Sequence, residues 1–118
     1  MEETDKLSIR MNTAHNPAGD APVKDNRHKH RFELETAGKL NIVVYEPVDD
    51  ETLALVHTEV DSSLEGHGVG SHLVEGVLEY VERNNLKIVP LCPFVSAYLE
   101  RHPDWNRVVS KAYNVNDF

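Results

Sequence analysis

The chain has 118 residues, 40% hydrophobic, 27% charged and 7% aromatic, with a formal net charge of −8. That length allows one domain, the acidic balance argues against a nucleic-acid partner, which would need clustered Lys and Arg, and a single cysteine excludes an intrachain disulfide framework. Met1–Arg10 lacks the apolar core of a signal peptide, and no apolar run reaches the ~20 residues of a membrane helix, so a cytoplasmic location without a membrane partner is expected.

Residues 1 to about 26 are polar, with isolated apolar positions at Leu7, Ile9 and Met11, and are expected to form a disordered tail ahead of a domain at 27–118. Arg31 to Glu35 alternates strictly, placing Phe32 and Leu34 on one face of a half-buried strand. Thr36 to Lys39 supplies a turn, and Leu40 to Tyr45 a second strand with Leu40, Ile42 and Val44 on one face. Glu46 to Glu51, with Pro47, Asp49 and Asp50, is expected to break the sheet. Thr52 to Val60 is apolar on both faces in its first half, as a central strand would be. Alternation puts His57 and Glu59 on the face of Leu53 and Leu55, and Thr58 and Val60 with Ala54 and Val56.

Val60 to Ser71 (V-D-S-S-L-E-G-H-G-V-G-S) carries Gly66, Gly68 and Gly70 between that strand and a helix. Such a loop either makes the tight turn for which glycine is the default residue or presents backbone N–H groups as an anion cradle at a helix start. A nucleotide-hydrolysing loop would need a Lys before the hydroxyl residue, and Ser71 follows Gly70 directly; the third glycine comes one residue too early for a dinucleotide fingerprint.

The helix, about Gly70 to Asn84, has Leu73, Val74, Val77, Leu78 and Val81 on one face and Glu75, Glu79 and Glu82 opposite. Gly76 in its interior points either to close approach by a neighbouring element or to a small loss of helix stability, about 1 kcal/mol, that is simply tolerated. Leu86 to Leu91 follows strand, loop and helix, and so returns parallel to Thr52–Val60. Pro93 belongs in the first turn of a second helix and makes Cys92 its N-cap. A thiol there is either favoured as thiolate by the helix field or a small buried hydrophobe. His102-Pro103 ends that helix, leaving Trp105, Val108, Val109 and Tyr113 to dock a short final element.

The run H-T-E-V-(x4)-E-G-H-G-V-G-S-H-L, followed by V-P-L-C-P-F-V-x-x-Y-L-x-x-H-P, resembles the small GCN5-related N-acetyltransferase-like proteins with a minimal domain, over about Arg31 to Trp105. The resemblance implies an α/β (α+β) fold: a mixed, mostly antiparallel sheet with one parallel βαβ crossover and helices packed on it. It also implies acetyl-CoA as co-substrate, its pyrophosphate on the glycine loop and its thioester between two splayed strands near Cys92. The implied cofactor-binding set is Val60, Glu65, Gly66, His67, Gly68, Val69, Gly70, Ser71, Cys92 and Tyr98. Two positions depart from the superfamily pattern. Glu65 stands where Gln or Arg is usual, and the usual general-acid Tyr falls on Leu99, with Tyr98 one residue earlier and about 100° away around the helix.

Acetyl transfer to an amine needs a neutral nucleophile, donors to the carbonyl oxygen and a proton for the leaving thiolate. The candidate catalytic residues are Cys92, for a covalent or proton-donating step, and Glu59 and His57, for removal of the amine proton. A primary amine, a protein lysine among the candidates, is the expected acceptor; the pattern names neither the acceptor nor an oligomeric state. A CoA-binding module with little transferase activity and a Cys92/His57 hydrolase remain alternatives. The scattered histidines have no zinc spacing, so no metal is expected.

Overall fold

The structure, a computed structural model, describes residues 22–118. Its centre is a five-stranded sheet in sequential order: β1 (Lys24–Asn26), β2 (Arg31–Thr36), β3 (Lys39–Asp49), β4 (Thr52–Glu59) and β5 (Lys87–Pro90). The first three pairings are antiparallel and β4–β5 is parallel, with Thr52 opposite Lys87 and Leu55 opposite Pro90. Helix α1 (Val69–Arg83) makes the crossover and α2 (Pro93–Arg101) follows β5. This is the mixed sheet with one parallel βαβ unit that the sequence and its resemblance imply.

Local chemistry accounts for each junction. Ala37 and Gly38, at φ 52° and 76°, close the β2–β3 hairpin with both central residues left-handed, as a two-residue turn requires. Asn84 caps α1 and Asn85 follows at φ 57°, the left-handed stop that Asn tolerates. The apolar stripe of α1 lies fully buried on Phe32, Leu34, Val43, Leu55 and Ile88 of the sheet. Past α2, a 3-10 turn at Pro103–Val108 buries Val108, and Val109 bridges Ile88 on the free edge of β5.

Three expectations need correction. The tail boundary at residue 26 is too late, because Lys24–Asn26 pair with Arg31–Glu33. The Asp25 carboxylate accepts from the Tyr45 and Tyr80 hydroxyls at 2.6 and 3.0 Å, a polar attachment that no hydrophobic period reveals. Val23 packs so close to Gly76 that a Cβ on Gly76 would collide with it, which is the close approach that glycine suggested. The expected tail at 1–21 lies outside the described residues.

In β3, Leu40, Ile42 and Val44 share a face as expected, and it is the opposite face, Asn41, Val43 and Tyr45, that is buried, with Leu40 49% exposed; what needs correction is the break expected at Glu46–Glu51. Cross-strand pairing sets the phase, since Val43 faces Phe32 and Asn41 faces Leu34. The strand continues to Asp49 through Pro47. On the β2 side the last bond runs from Tyr45 N–H to the His30 carbonyl, and past it that edge of β3 is unpaired, so the N–H missing at Pro47 costs no ladder bond.

The third correction concerns β4. Val44 pairs with His57 and Tyr45 with Leu55, so Val56 has no residue opposite it. That bulge inserts one residue and exchanges the faces beyond it. His57 and Glu59 therefore leave the core face of Leu53 and Leu55, and Thr58 takes their place.

Candidate active-site cleft

The ladder between β4 and β5 ends at Leu55 and Pro90. There the N–H groups of Leu91 and Cys92 both donate to the Leu55 carbonyl, at 3.0 and 2.9 Å. β4 then continues alongside β3 to Glu59, while the chain after β5 turns into α2, so the two parallel strands part. Beyond that parting, a cleft of about 480 Å³ opens between the end of β4, the glycine loop and α2.

The floor of the cleft is the glycine loop. Gly66 and Gly68 have φ of 85° and 77°, the left-handed backbone that side chains with a Cβ disfavour. Gly68 is the N-cap of α1 and brings no side chain to cap it. The first helical bond runs from His72 N–H to the Gly68 carbonyl at 3.0 Å, which leaves the N–H groups of Val69, Gly70 and Ser71 without intrahelical partners. They are the positive end of a 15-residue helix. Gly70 has a different reason to be glycine: an added Cβ would lie 2.5 Å from the Phe94 ring, so its absence lets α2 close onto the loop.

Of the predicted cofactor-binding residues, Val60, Glu65, Gly66, Gly68, Val69, Gly70 and Ser71 line the cleft, together with Thr58, Leu64, Phe94 and Arg101. His67, Cys92 and Tyr98 are not in its wall. Tyr98 is 5% exposed, lies 4.3 Å from the His102 ring, and is turned toward α1. Burial, then Glu75 and Glu79 on that helix, push its hydroxyl above the ordinary tyrosine pKa. Leu99 is buried as well and carries no hydroxyl, and Tyr98 is outside the cleft wall, so neither presents a hydroxyl to the cleft.

Cys92 is the N-cap of α2 with Pro93 in the first turn, as the sequence predicts, and it is 4% exposed. The expected N-cap position and the expected burial of that side chain are thus both present. Its sulfur lies 3.2 Å from the Thr58 hydroxyl, and Thr58 stands between it and the cleft. His57 and Glu59 meet each other at 2.9 Å, exposed on the opposite sheet face because of the bulge at Val56.

Sequence reasoning missed Asn41. Its fully buried amide donates to the carbonyls of Leu34 (3.1 Å) and Lys39 (3.4 Å), and its oxygen accepts from the Asp61 N–H at 2.9 Å. Asp61 in turn caps the 3-10 turn Ser62–Leu64, accepting from the Ser63 hydroxyl and N–H. Those two bonds hold the Asp61 carboxyl below the ordinary pKa of an aspartate. The glycine loop is thereby tied to the β2–β3 hairpin. The available signal was an amide inside an apolar strand, Leu40 to Val44, where a buried polar group needs partners. Arg101 was missed too; it lies two helical turns after Phe94 and so on the same face of α2.

Among the described residues, no group of three or more His, Cys, Asp or Glu side chains is placed to hold a metal ion. No helix among them is long and apolar enough to cross a membrane.

Residues 31–108 match the family profile described as GCN5-related N-acetyl-transferase. The chain is 27% identical over 89 residues to Protein NATD1 of Xenopus tropicalis, covering 74% of this chain and 82% of that protein. It is 28% identical over 83 residues to Protein NATD1 of Homo sapiens, covering 69% and 74% respectively. Its backbone is similar to the NMR solution structure of a GCN5-like protein from Staphylococcus aureus, with a TM-score of 0.58 and 30% identity over 75% of this chain and 86% of that one.

Proposed function

The chain belongs to the GCN5-related N-acetyltransferase family, and from that membership we propose that it transfers the acetyl group of acetyl-CoA to a primary amine. The observation that carries this reading is the cleft itself: two parallel strands part directly above a helix start whose three N–H groups have no partner in the helix. Unpaired donors at the positive end of a helix suit a diphosphate. The parted edges of β4 and the Leu91–Cys92 segment suit an extended amide-bearing arm, which pairs as a strand would.

In the reaction, the amine nitrogen attacks the thioester carbonyl carbon, a C–N bond forms and the C–S bond breaks. The departing thiolate takes a proton, and the new amide gives one up. The Cys92–Thr58 pair supports a role for Cys92 as proton donor through the Thr58 hydroxyl. Cys92 then recovers a proton, the one released by the amine. The His57–Glu59 pair, on the other sheet face, acts only on an acceptor that reaches around the strand edge. Residues 22–118 work as one acetyltransferase unit in this reading, and the acidic balance suits a cationic acceptor such as a protein lysine.

A CoA-binding module without turnover is the second reading, favoured by the carboxylate of Glu65 in the cleft wall and by the distance of His57 and Glu59 from it. Acetyl-CoA titration followed by turnover with a panel of amines separates the two. Binding with acetyl transfer supports the enzyme; binding with no transfer to any amine supports the module; no binding removes both. Cys92→Ala is expected to lower kcat at least about tenfold while leaving acetyl-CoA affinity nearly unchanged, since a group acting in the transition state contributes little to ground-state binding.

A further inference from the structure

We propose that Arg101 fixes the nucleotide phosphates of CoA in the cleft and sets the protein's preference for the whole coenzyme over its pantetheine arm. This rests on the coenzyme reading above and adds a residue that neither the motif nor the loop identifies. Arg101 occupies the last turn of α2 and lines the cleft opposite Gly66, Gly68 and Ser71. It is the one Lys or Arg among the lining residues, and Glu65 is the one carboxylate. The ion pairs within the described residues join Arg27 with Asp25, Arg31 with Glu33, His57 with Glu59 and Arg107 with Glu82, so this exposed guanidinium is committed to none of those four.

Charge makes the need for such a cation specific. A helix start contributes the equivalent of about half a positive charge, whereas a diphosphate with a further phosphate carries several negative ones, in a chain of net charge −8. The Glu65 carboxylate adds repulsion. A planar guanidinium on the facing wall offers paired donors that match phosphate oxygens, and Phe94, on the same face of α2, holds that helix against Gly70.

The test compares wild type, Arg101→Gln and Arg101→Lys by calorimetric titration with CoA, 3′-dephospho-CoA and pantetheine at low and moderate salt, with urea unfolding to verify the fold. Arg101→Gln is expected to weaken CoA about tenfold, as for loss of a charged hydrogen bond, to flatten the salt dependence and to leave pantetheine unchanged; Arg101→Lys should recover part of the loss. A loss confined to CoA supports contact with the 3′-phosphate, and an equal loss for CoA and its dephospho form supports contact with the diphosphate. Unchanged CoA affinity in a folded Arg101→Gln protein, or an equal loss for pantetheine, overturns the proposal while leaving the coenzyme reading intact. Wild type that binds none of the three overturns both.

Discussion

The two ends of α1 face cavities of similar size, about 480 Å³ at the glycine loop and 450 Å³ beyond β4's first residues, yet they differ in what their polar groups still lack. At the C-terminal end the bonds are already made. Asn84 covers the Tyr80 carbonyl through both its backbone N–H and its side chain, and Leu86 N–H reaches the Val81 carbonyl. In the cavity wall the Tyr45 and Tyr80 hydroxyls donate one bond to each oxygen of Asp25, and nearby Tyr113 bonds to Asp49. At the N-terminal end three helical N–H groups face an open cleft with no cap. Volume alone does not distinguish a binding site from a seam between elements; donors left without partners do.

The strongest way to break this contrast is to close the loop's open end. Gly68→Val forces a β-branched residue to φ 77°, a conformation that costs about 1–2 kcal/mol or more for residues with a Cβ. The strain is relieved by moving the loop, and the N–H groups lose their alignment. CoA affinity should fall at least about tenfold by calorimetry, with a smaller change in urea stability. Unchanged affinity would move the coenzyme away from this end of α1.

Next in size is Asn41→Leu, which keeps the branched outline of the side chain, somewhat enlarged, and removes the amide. The Asp61 N–H and the Leu34 carbonyl lose their partners, at about 1–3 kcal/mol for a buried group left unpaired, so a total of at least about 2 kcal/mol is expected in urea unfolding. Because Asp61 starts the turn leading to Gly66, CoA binding should weaken as well. A loss of stability with full CoA affinity would confine Asn41 to the hairpin.

Much of this architecture was legible before any coordinates. The period of α1, the alternation in β2 and the strand–loop–helix–strand order suffice for the crossover, because each depends on local pattern. What escaped depends on pairing. The phase of β3 follows from Val43 facing Phe32, and the exposure of His57 and Glu59 from one unpaired residue, Val56, that alternation cannot see. In the candidate site, the glycine loop and the N-cap position of Cys92 were readable from residue type and spacing. Arg101 and Thr58 were not, since their place in the cleft depends on how α2 and the bulged strand are set against the loop.

At the closed end, Gly76→Ala tests whether β1 is part of the domain. Ala is the better helix former by about 1 kcal/mol, but its Cβ would collide with Val23, and overpacking of this kind costs about 1–3 kcal/mol. A net loss of about 1–2 kcal/mol is expected, and Val23→Ala in the same chain should restore most of it. A Gly76→Ala protein more stable than wild type would show that the segment around Val23 yields easily.

The smallest effect sharpens the contrast through pH. Burial, and then hydrogen bonding to Asp25, hold the Tyr45 and Tyr80 hydroxyls above the ordinary value near 10. A pKa raised in the folded state means that the folded protein keeps protons the unfolded chain has released. Their contribution is therefore fully present below about pH 10 and is lost as pH rises past it. Tyr45→Phe removes one of two hydroxyls from Asp25, which keeps Tyr80 as a partner, so a loss of about 1 kcal/mol is expected at pH 7. Above pH 10 the variant should lose less further stability than wild type does, because it has one fewer tyrosine to ionise. CoA affinity, if it is set at the other end of α1 as proposed, should be unaffected at any pH where the fold is intact. Parallel alkaline slopes for the two proteins would show that the Tyr45 proton contributes nothing to the seam, and weaker CoA binding in Tyr45→Phe would show that the two ends are not independent.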